Sequence, residues 1–384
     1  MFYDKQLSQV LSFWADKGFD EKHGGFYTYL DEDGNRFSEV KSVWAQGRAM
    51  YIYAKAYSDV EANEQWLMMA EETFVFLQKH GFDSDRKMYF SLTGDGRPIR
   101  RRRYWFSDAF MALGACMLYN VTKRDEYLRQ MRESYNRITA FYFGREMTPP
   151  KYERETINAK SLADSMILLN LIQHIVQADP IHAGVYENDR KKVRANITDH
   201  VHQGKHVFLE NVSNDPHPLT GPMGRLVNPG HSLEAAWFLM DEYNETDDTQ
   251  WLNLALDTTK GAFAAGWDET YGGLFYFADI ENNPLEQLEW DMKLWWPHTE
   301  ATIACLKAYE HTGDETWYQD YRMVLAYLKK HFVTDKEWWG YLHRDNTLSH
   351  PLKGNLFKGP FHVPRMLLIN RKIIRSLLKE DESS

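Results

Sequence analysis

The segment Gly18-Phe19-Asp20-Glu21-Lys22-His23-Gly24-Gly25-Phe26-Tyr27-Thr28-Tyr29 recurs as Gly266-Trp267-Asp268-Glu269-Thr270-Tyr271-Gly272-Gly273-Leu274-Phe275-Tyr276-Phe277. Weaker copies run from Gly81-Phe82-Asp83 to Tyr89-Phe90 and over Asp335-Lys336-Glu337-Trp338-Trp339-Gly340-Tyr341. A period of roughly 62 residues fits these copies, which gives about six units and restricts the chain to a repeat architecture. Each unit reads as two helices. The second of each pair is apolar on nearly all sides: Ser42 to Ala56, Phe106 to Leu118, Leu162 to Ile175, His231 to Met240, His298 to Tyr309 and Val363 to Leu378. The first is amphipathic, as in Asn63 to Gln78, Asp125 to Tyr142, Trp251 to Phe263 and Glu315 to Lys329. A helix apolar all round belongs inside and a one-sided helix belongs on the outer wall. The pattern therefore predicts an all-α toroid of six helical hairpins, an (α/α)6 barrel, with the Gly-Gly segments as short β-hairpins on the connections into the inner helices.

Those connections hold the residues with chemistry. Asn228-Pro229-Gly230-His231-Ser232-Leu233-Glu234 is a helix start carrying a histidine and a glutamate three apart. Trp295-Trp296-Pro297-His298-Thr299-Glu300 and Gly359-Pro360-Phe361-His362-Val363-Pro364-Arg365 repeat the device. Parallel inner helices bring their N-termini, and hence His231, His298 and His362, to one end of the ring. An open solenoid, the competing architecture, gives no reason for the three to meet. A helix N-terminus disfavours imidazolium, so His231 is expected to be a neutral ring able to take a proton.

Single histidines are more often structural than catalytic, and it is the shared placement that makes these three a candidate cluster. Glu234 and Glu300 are candidates to orient the rings or bind hydroxyls. Arg48, on the otherwise apolar first inner helix, needs a carboxylate partner or an oxyanion. Trp44, Trp295, Trp296 and Phe361 are candidates to stack on the apolar face of a sugar. His174, His182, His200, His202, His206 and His217 lie amid polar sequence and are assigned no catalytic role. A zinc site is the lesser reading, because the histidines lie on separate helices without a His-Glu-x-x-His signature. A glycoside hydrolase drawing on Asp108, Asp164, Glu234, Asp291 or Glu300 is the stronger rival, although it leaves the histidines unexplained. No phosphate-binding Gly-rich loop and no nucleophile elbow occurs, which argues against hydride and covalent chemistry.

Composition narrows the partners. A net charge of -10 argues against a nucleic-acid or anionic membrane surface. The run Arg100-Arg101-Arg102-Arg103 reads as a solvated loop. There is no signal-like start and no long apolar run, so a cytoplasmic protein is expected. Cys116 and Cys305, each inside an apolar helical run, read as reduced core thiols. No linker divides residues 1–384, so one barrel domain is expected, with only the tail from Lys379 to Ser384 loose.

At these residues the sequence resembles the N-acylglucosamine 2-epimerase family, which includes the mammalian renin-binding protein. The resemblance rests on Gly24-Gly25-Phe26-Tyr27, Val43-Trp44-Ala45-Gln46-Gly47-Arg48, Leu209-Glu210-Asn211-Val212-Ser213 and Gln287-Leu288-Glu289-Trp290, together with the three histidine stretches. It implies an (α/α)6 barrel, frequently dimeric, that interconverts N-acetyl-D-glucosamine and N-acetyl-D-mannosamine, a step of amino-sugar and sialic acid metabolism. It implies His231 and His362 as the proton-transfer pair, Arg48 as a substrate-binding residue, and no cofactor in the chemistry. Similar cellobiose 2-epimerases and aldose–ketose isomerases carry a histidine on the third inner helix, where this chain has Leu162-Ala163-Asp164-Ser165-Met166. The cellobiose enzymes typically carry glutamine where His298 stands. Some family members use ATP as an activator, at a site assigned partly to basic residues near the first Gly-Gly hairpin. Here that hairpin continues into the acidic Asp31-Glu32-Asp33-Gly34.

Overall fold

A computed structural model describes residues 2–101, 105–144, 153 and 155–383. Arg102 and Arg103 of the basic run lie outside the described residues. Thirteen α-helices are described: α1 (Phe2–Phe13), α2 (Val43–Asp59), α3 (Glu64–His80), α4 (Phe106–Thr122), α5 (Asp125–Tyr142), α6 (Leu162–Ala178), α7 (Ala183–Thr198), α8 (Gly221–Arg225), α9 (Pro229–Thr246), α10 (Thr249–Gly266), α11 (Trp295–Thr312), α12 (Glu315–His331) and α13 (His362–Ser383).

Six of these form the inner ring. α2 packs on α4, α4 on α6, α6 on α9, α9 on α11, α11 on α13, and α13 returns to α2. All six coincide with the apolar segments expected, and α4 shows why: every residue from Ser107 to Leu118 is buried. Each fully buried Leu, Ile or Phe contributes about 1.5–3 kcal/mol, so the inner ring carries the central core. The outer helices bury one stripe only. In α5 the buried residues Tyr127, Gln130, Met131, Ser134, Tyr135 and Ile138 recur at three and four residue steps. Cys116 and Cys305 are free and buried.

Two outer helices beyond the four expected complete the wall. α1 packs on α13 and so closes the circle. α7 is highly charged and hides in the sequence because Asp189 and Arg190 take up buried positions that apolar residues fill in the other outer helices. α13 runs through to Ser383, so most of the tail expected to be loose continues the last helix.

Short antiparallel strands sit where the inner helices begin. Lys41–Ser42 leads into α2, Ala159–Ser161 into α6, Leu226–Val227 into α9 and Lys293–Leu294 into α11. They pair with other connections, as Lys293–Leu294 does with Tyr341–Leu342. The two strong repeat copies fold alike. The Asp20 N–H donates to Gly25 O at 2.8 Å and the Asp268 N–H to Gly273 O at 2.9 Å. Both glycine pairs need positive φ, with Gly24 at 77° and Gly273 at 80°. A fully buried lysine clamps each turn: Lys41 Nζ reaches Asp20 at 2.6 Å, and Lys293 Nζ reaches Asp268 at 3.0 Å. Burial costs such an ion unless it is paired, and here the carboxylate and backbone carbonyls pair it.

Candidate active site

The cap of α9 fixes His231. The Asn228 side chain accepts the His231 N–H at 3.1 Å and Pro229 occupies the first turn, which holds the imidazole at the helix entrance. Its Nδ1 lies 2.9 Å from Glu210 Oε2. Burial pulls the His231 pKa down, but the charge and hydrogen bond of Glu210 more than offset this, and the net shift is upward. The neutral ring expected from the helix end alone leaves out Glu210, whose carboxylate 2.9 Å away favours the protonated ring. Glu210 itself follows a strand pinned by the buried His200, whose Nδ1 donates to Leu209 O at 2.8 Å.

His362 opens α13, and its Nδ1 meets Glu300 Oε1 at 2.8 Å. Its surroundings differ from those of His231. Burial, and then the guanidinium groups of Arg365 and Arg48, hold it well below the ordinary histidine value. Trp296 packs against both histidines, its ring centre 5.1 Å from His231 and 5.7 Å from His362. With both Nδ1 atoms committed to carboxylates, both Nε2 atoms remain for a molecule in the cavity that His231 and His362 line together.

That cavity has a volume of about 420 Å³. Trp44, Trp295, Trp296, Arg48 and Glu234, all candidates from the sequence, line it. Arg48 makes no hydrogen bond or ion pair among the described residues, and its Nε is buried without a partner. Its guanidinium is held between the rings of Phe110 and Phe361, at 4.1 and 4.8 Å. Phe361 therefore both grips Arg48 and lines the cavity. Burial lowers the Arg48 pKa to about 9, so it stays cationic at neutral pH.

Two of the candidate site residues, His298 and Glu300, do not reach the cavity. His298 is fully buried: its Nε2 accepts the Leu274 N–H at 2.8 Å and its Nδ1 donates to Leu294 O at 2.6 Å. The other repeat copy explains it. Gln46 accepts the Phe26 N–H and donates to Ser42 O, so His298 and Gln46 are the same hairpin lock in two units. Glu300 is likewise fully buried, accepting from His362, from Trp237 Nε1 at 2.9 Å and from Arg365 at 2.8 Å. It positions His362 from behind.

Arg365 and Glu210 are the functional residues that sequence reasoning passed over, although both stand inside the quoted stretches. Arg365 pairs with Glu234 and Glu300 together. That pairing bears on the metal reading: ligand atoms of Glu234, Glu300 and His362 lie within 4.8 Å of one another, but the guanidinium already supplies their cation. Of the five carboxylates of the hydrolase set, Glu234 and Glu300 come together but are bridged by Arg365, Asp108 is held by Arg137 at 2.7 Å, and only Glu234 lines the cavity.

Comparison with known proteins agrees with this geometry. The family description N-acylglucosamine 2-epimerase (GlcNAc 2-epimerase) matches residues 25–358. The chain is 36% identical to the N-acylglucosamine 2-epimerase of Bos taurus, covering 97% of this chain and 90% of that one. It is 35% identical to the Homo sapiens protein of the same name, with the same coverage. The solved cellobiose 2-epimerase from Bacillus thermoamylovorans B4167 superposes with a TM-score of 0.84 at 19% identity, covering 97% of this chain and 98% of that one, and shows the barrel fold. From the profile, the relatives and the ring of helices together, the chain belongs to the N-acylglucosamine 2-epimerase family.

Proposed function

We propose that the protein is an N-acyl-D-glucosamine 2-epimerase, an isomerase that interconverts N-acetyl-D-glucosamine and N-acetyl-D-mannosamine with His231 and His362 as a two-base pair. One observation carries the reading: two histidines, each oriented through Nδ1 by its own carboxylate, line one cavity and pack against Trp296. Relatives at about a third identity over nearly the whole chain supply the substrate class.

The chemistry follows from the sugar. The C2 proton is acidic only in the open-chain aldehyde, so the ring opens first. One histidine then removes that proton, leaving a planar enolate, and the other returns a proton to the opposite face. Negative charge develops on O1, where a preorganised cation is worth more than in water. Arg48 is the unpaired cation facing the cavity and takes that role. Glu234, fixed by Arg365, accepts from a substrate hydroxyl, while Trp44, Trp295 and Trp296 supply apolar faces. Glu210 favours the protonated form of His231, which is assigned as the proton donor, and burial with Arg365 and Arg48 favours the neutral form of His362, which is assigned as the base.

On this reading residues 1–384 act as one domain, a cytoplasmic homodimer in amino-sugar and sialic acid metabolism that needs no cofactor for the chemistry. No described helix is long and apolar enough to cross a membrane. The Asp31 carboxylate closes its own turn on the Asp33 and Asn35 N–H groups. Proton NMR with N-acetyl-D-mannosamine in heavy water, with and without ATP, tests the proposal. Appearance of N-acetyl-D-glucosamine deuterated at C2, at the same rate with and without ATP, is expected. Absence of conversion in both conditions overturns the assignment.

A further inference from the structure

The inner ring fixes directions as well as residues. With the order α2, α4, α6, α9, α11, α13, helix α4 stands opposite α11 and α6 opposite α13. His231 on α9 and His362 on α13 flank Trp296 on α11. A C2 atom held between the two histidines therefore has its proton-transfer line running from α9 to α13. The three other bonds of a planar C2, to C1, C3 and nitrogen, lie in the plane across that line. With C1 set toward Arg48, Glu234 and Arg365, so that O1 meets Arg48, and C3 set toward the mouth along Trp296, the nitrogen points away from Trp296, toward α4 and α6.

The wall it meets is mainly aliphatic, whereas most of the remaining lining is aromatic or charged. α4 presents Ala109, Leu113 and the edge residue Phe110, and α6 presents Met166, Ile167 and Leu171, with Asn170 the one polar side chain that α6 places there. Asn170 spends little of its capacity elsewhere: its Nδ2 reaches Gln173 Oε1 at 3.5 Å, the limit of a hydrogen bond, and its Oδ1 has no partner among the described residues. A hydroxyl directed at such a wall loses its water and gains at most one partner. A secondary amide with an alkyl end matches it, because the amide pairs with Asn170 and the alkyl group fills the apolar recess.

We infer that the α4–α6 wall is the acyl recess, in which Ile167, Met166 and Leu113 hold the acyl chain and Asn170 pairs with the substrate amide. The inference rests on the epimerase reading above. It assigns specificity for N-acylated over non-acylated sugars to residues that take no part in proton transfer.

The test measures deuterium entry at C2 of N-acetylmannosamine, N-propanoylmannosamine and mannose, in the unaltered protein and in Ile167→Asn and Asn170→Leu. In the unaltered protein, kcat/KM for the N-propanoyl sugar is expected within about tenfold of the N-acetyl sugar, and mannose at least about tenfold below both. Each substitution is expected to lower the N-acetyl to mannose ratio by about 10–200-fold, the range for one altered pocket contact. Parallel slowing of both sugars with an unchanged ratio overturns the recess, as does rejection of the N-propanoyl sugar. Failure of the epimerase reading looks different: the unaltered protein then exchanges mannose but not N-acetylmannosamine, before any variant is made.

Discussion

Replacing Glu210 with glutamine removes one charge and little else, because the amide oxygen still accepts from His231 Nδ1. The pair is 2.9 Å apart, with His231 24% and Glu210 13% exposed, so solvent screens it only in part. A hydrogen bond to a charged group contributes about 1.5–3 kcal/mol and a neutral one about 0.5–1.5. The difference, about 1–1.5 kcal/mol, is close to the 1.36 kcal/mol that corresponds to a factor of ten. Glu210→Gln is therefore expected to make His231 about tenfold harder to protonate. In steady-state epimerisation the limb of the pH profile that reports His231 moves to lower pH, and at neutral pH the direction in which His231 donates slows by about tenfold. Stability shifts with a definite sign. A group whose folded pKa is raised stabilises below its unfolded pKa, about 6.5 for histidine, and loses that contribution as pH rises through the folded value. The stability gap between the parent protein and Glu210→Gln, read by urea unfolding, is thus widest in acid and closes in alkali. A limb that stays in place or moves to higher pH, or a gap that widens with rising pH, refutes the reasoning.

Three further outcomes follow from the same contacts. His298→Gln should fold and turn over within about threefold of the parent, since Gln46 does the same work in the other repeat copy, whereas His298→Leu strands the Leu274 N–H at a cost of about 1–3 kcal/mol, measurable by thermal and urea unfolding. Glu300→Gln should lower kcat by about tenfold, by the same charge argument, while KM changes by less than about threefold, because Glu300 touches His362 and not the cavity; steady-state kinetics in both directions separates the two. Arg48→Met should lower kcat by about 10²–10³ through loss of the charge facing O1, and a fall in KM affinity alone would assign Arg48 to ground-state binding instead.

The ring was legible because burial writes itself into helices: α4 is apolar on every side and α5 on one, as inner and outer helices of a closed ring must be. α7 was not legible, because its buried Asp189 and Arg190 read as surface until their partners are seen. Arg190 pairs with Glu242, which lies 52 residues away in sequence. The helix starts carrying His231 and His362 could be read from Pro, Asn and Gly. Which face each ring presents could not, since that depends on Glu210 and Glu300, set 21 and 62 residues from the histidines they hold. His298 shows the converse. Its position at a helix start matched that of the other two, and only the shared hydrogen bonds with Gln46 reveal it as a lock. Arg365 escaped attention because a lone arginine after a proline has no local signature; its meaning lies in two carboxylates on α9 and α11.

The two-base claim meets its most direct test in label exchange by His231→Asn and His362→Asn, supplied separately with N-acetylglucosamine and N-acetylmannosamine carrying deuterium at C2. Each variant keeps one base on one face of the enolate. The account predicts that neither variant interconverts the sugars, that each washes deuterium from one epimer only, and that the two variants choose opposite epimers. Exchange from both epimers by a single variant, or interconversion surviving in either one, contradicts it.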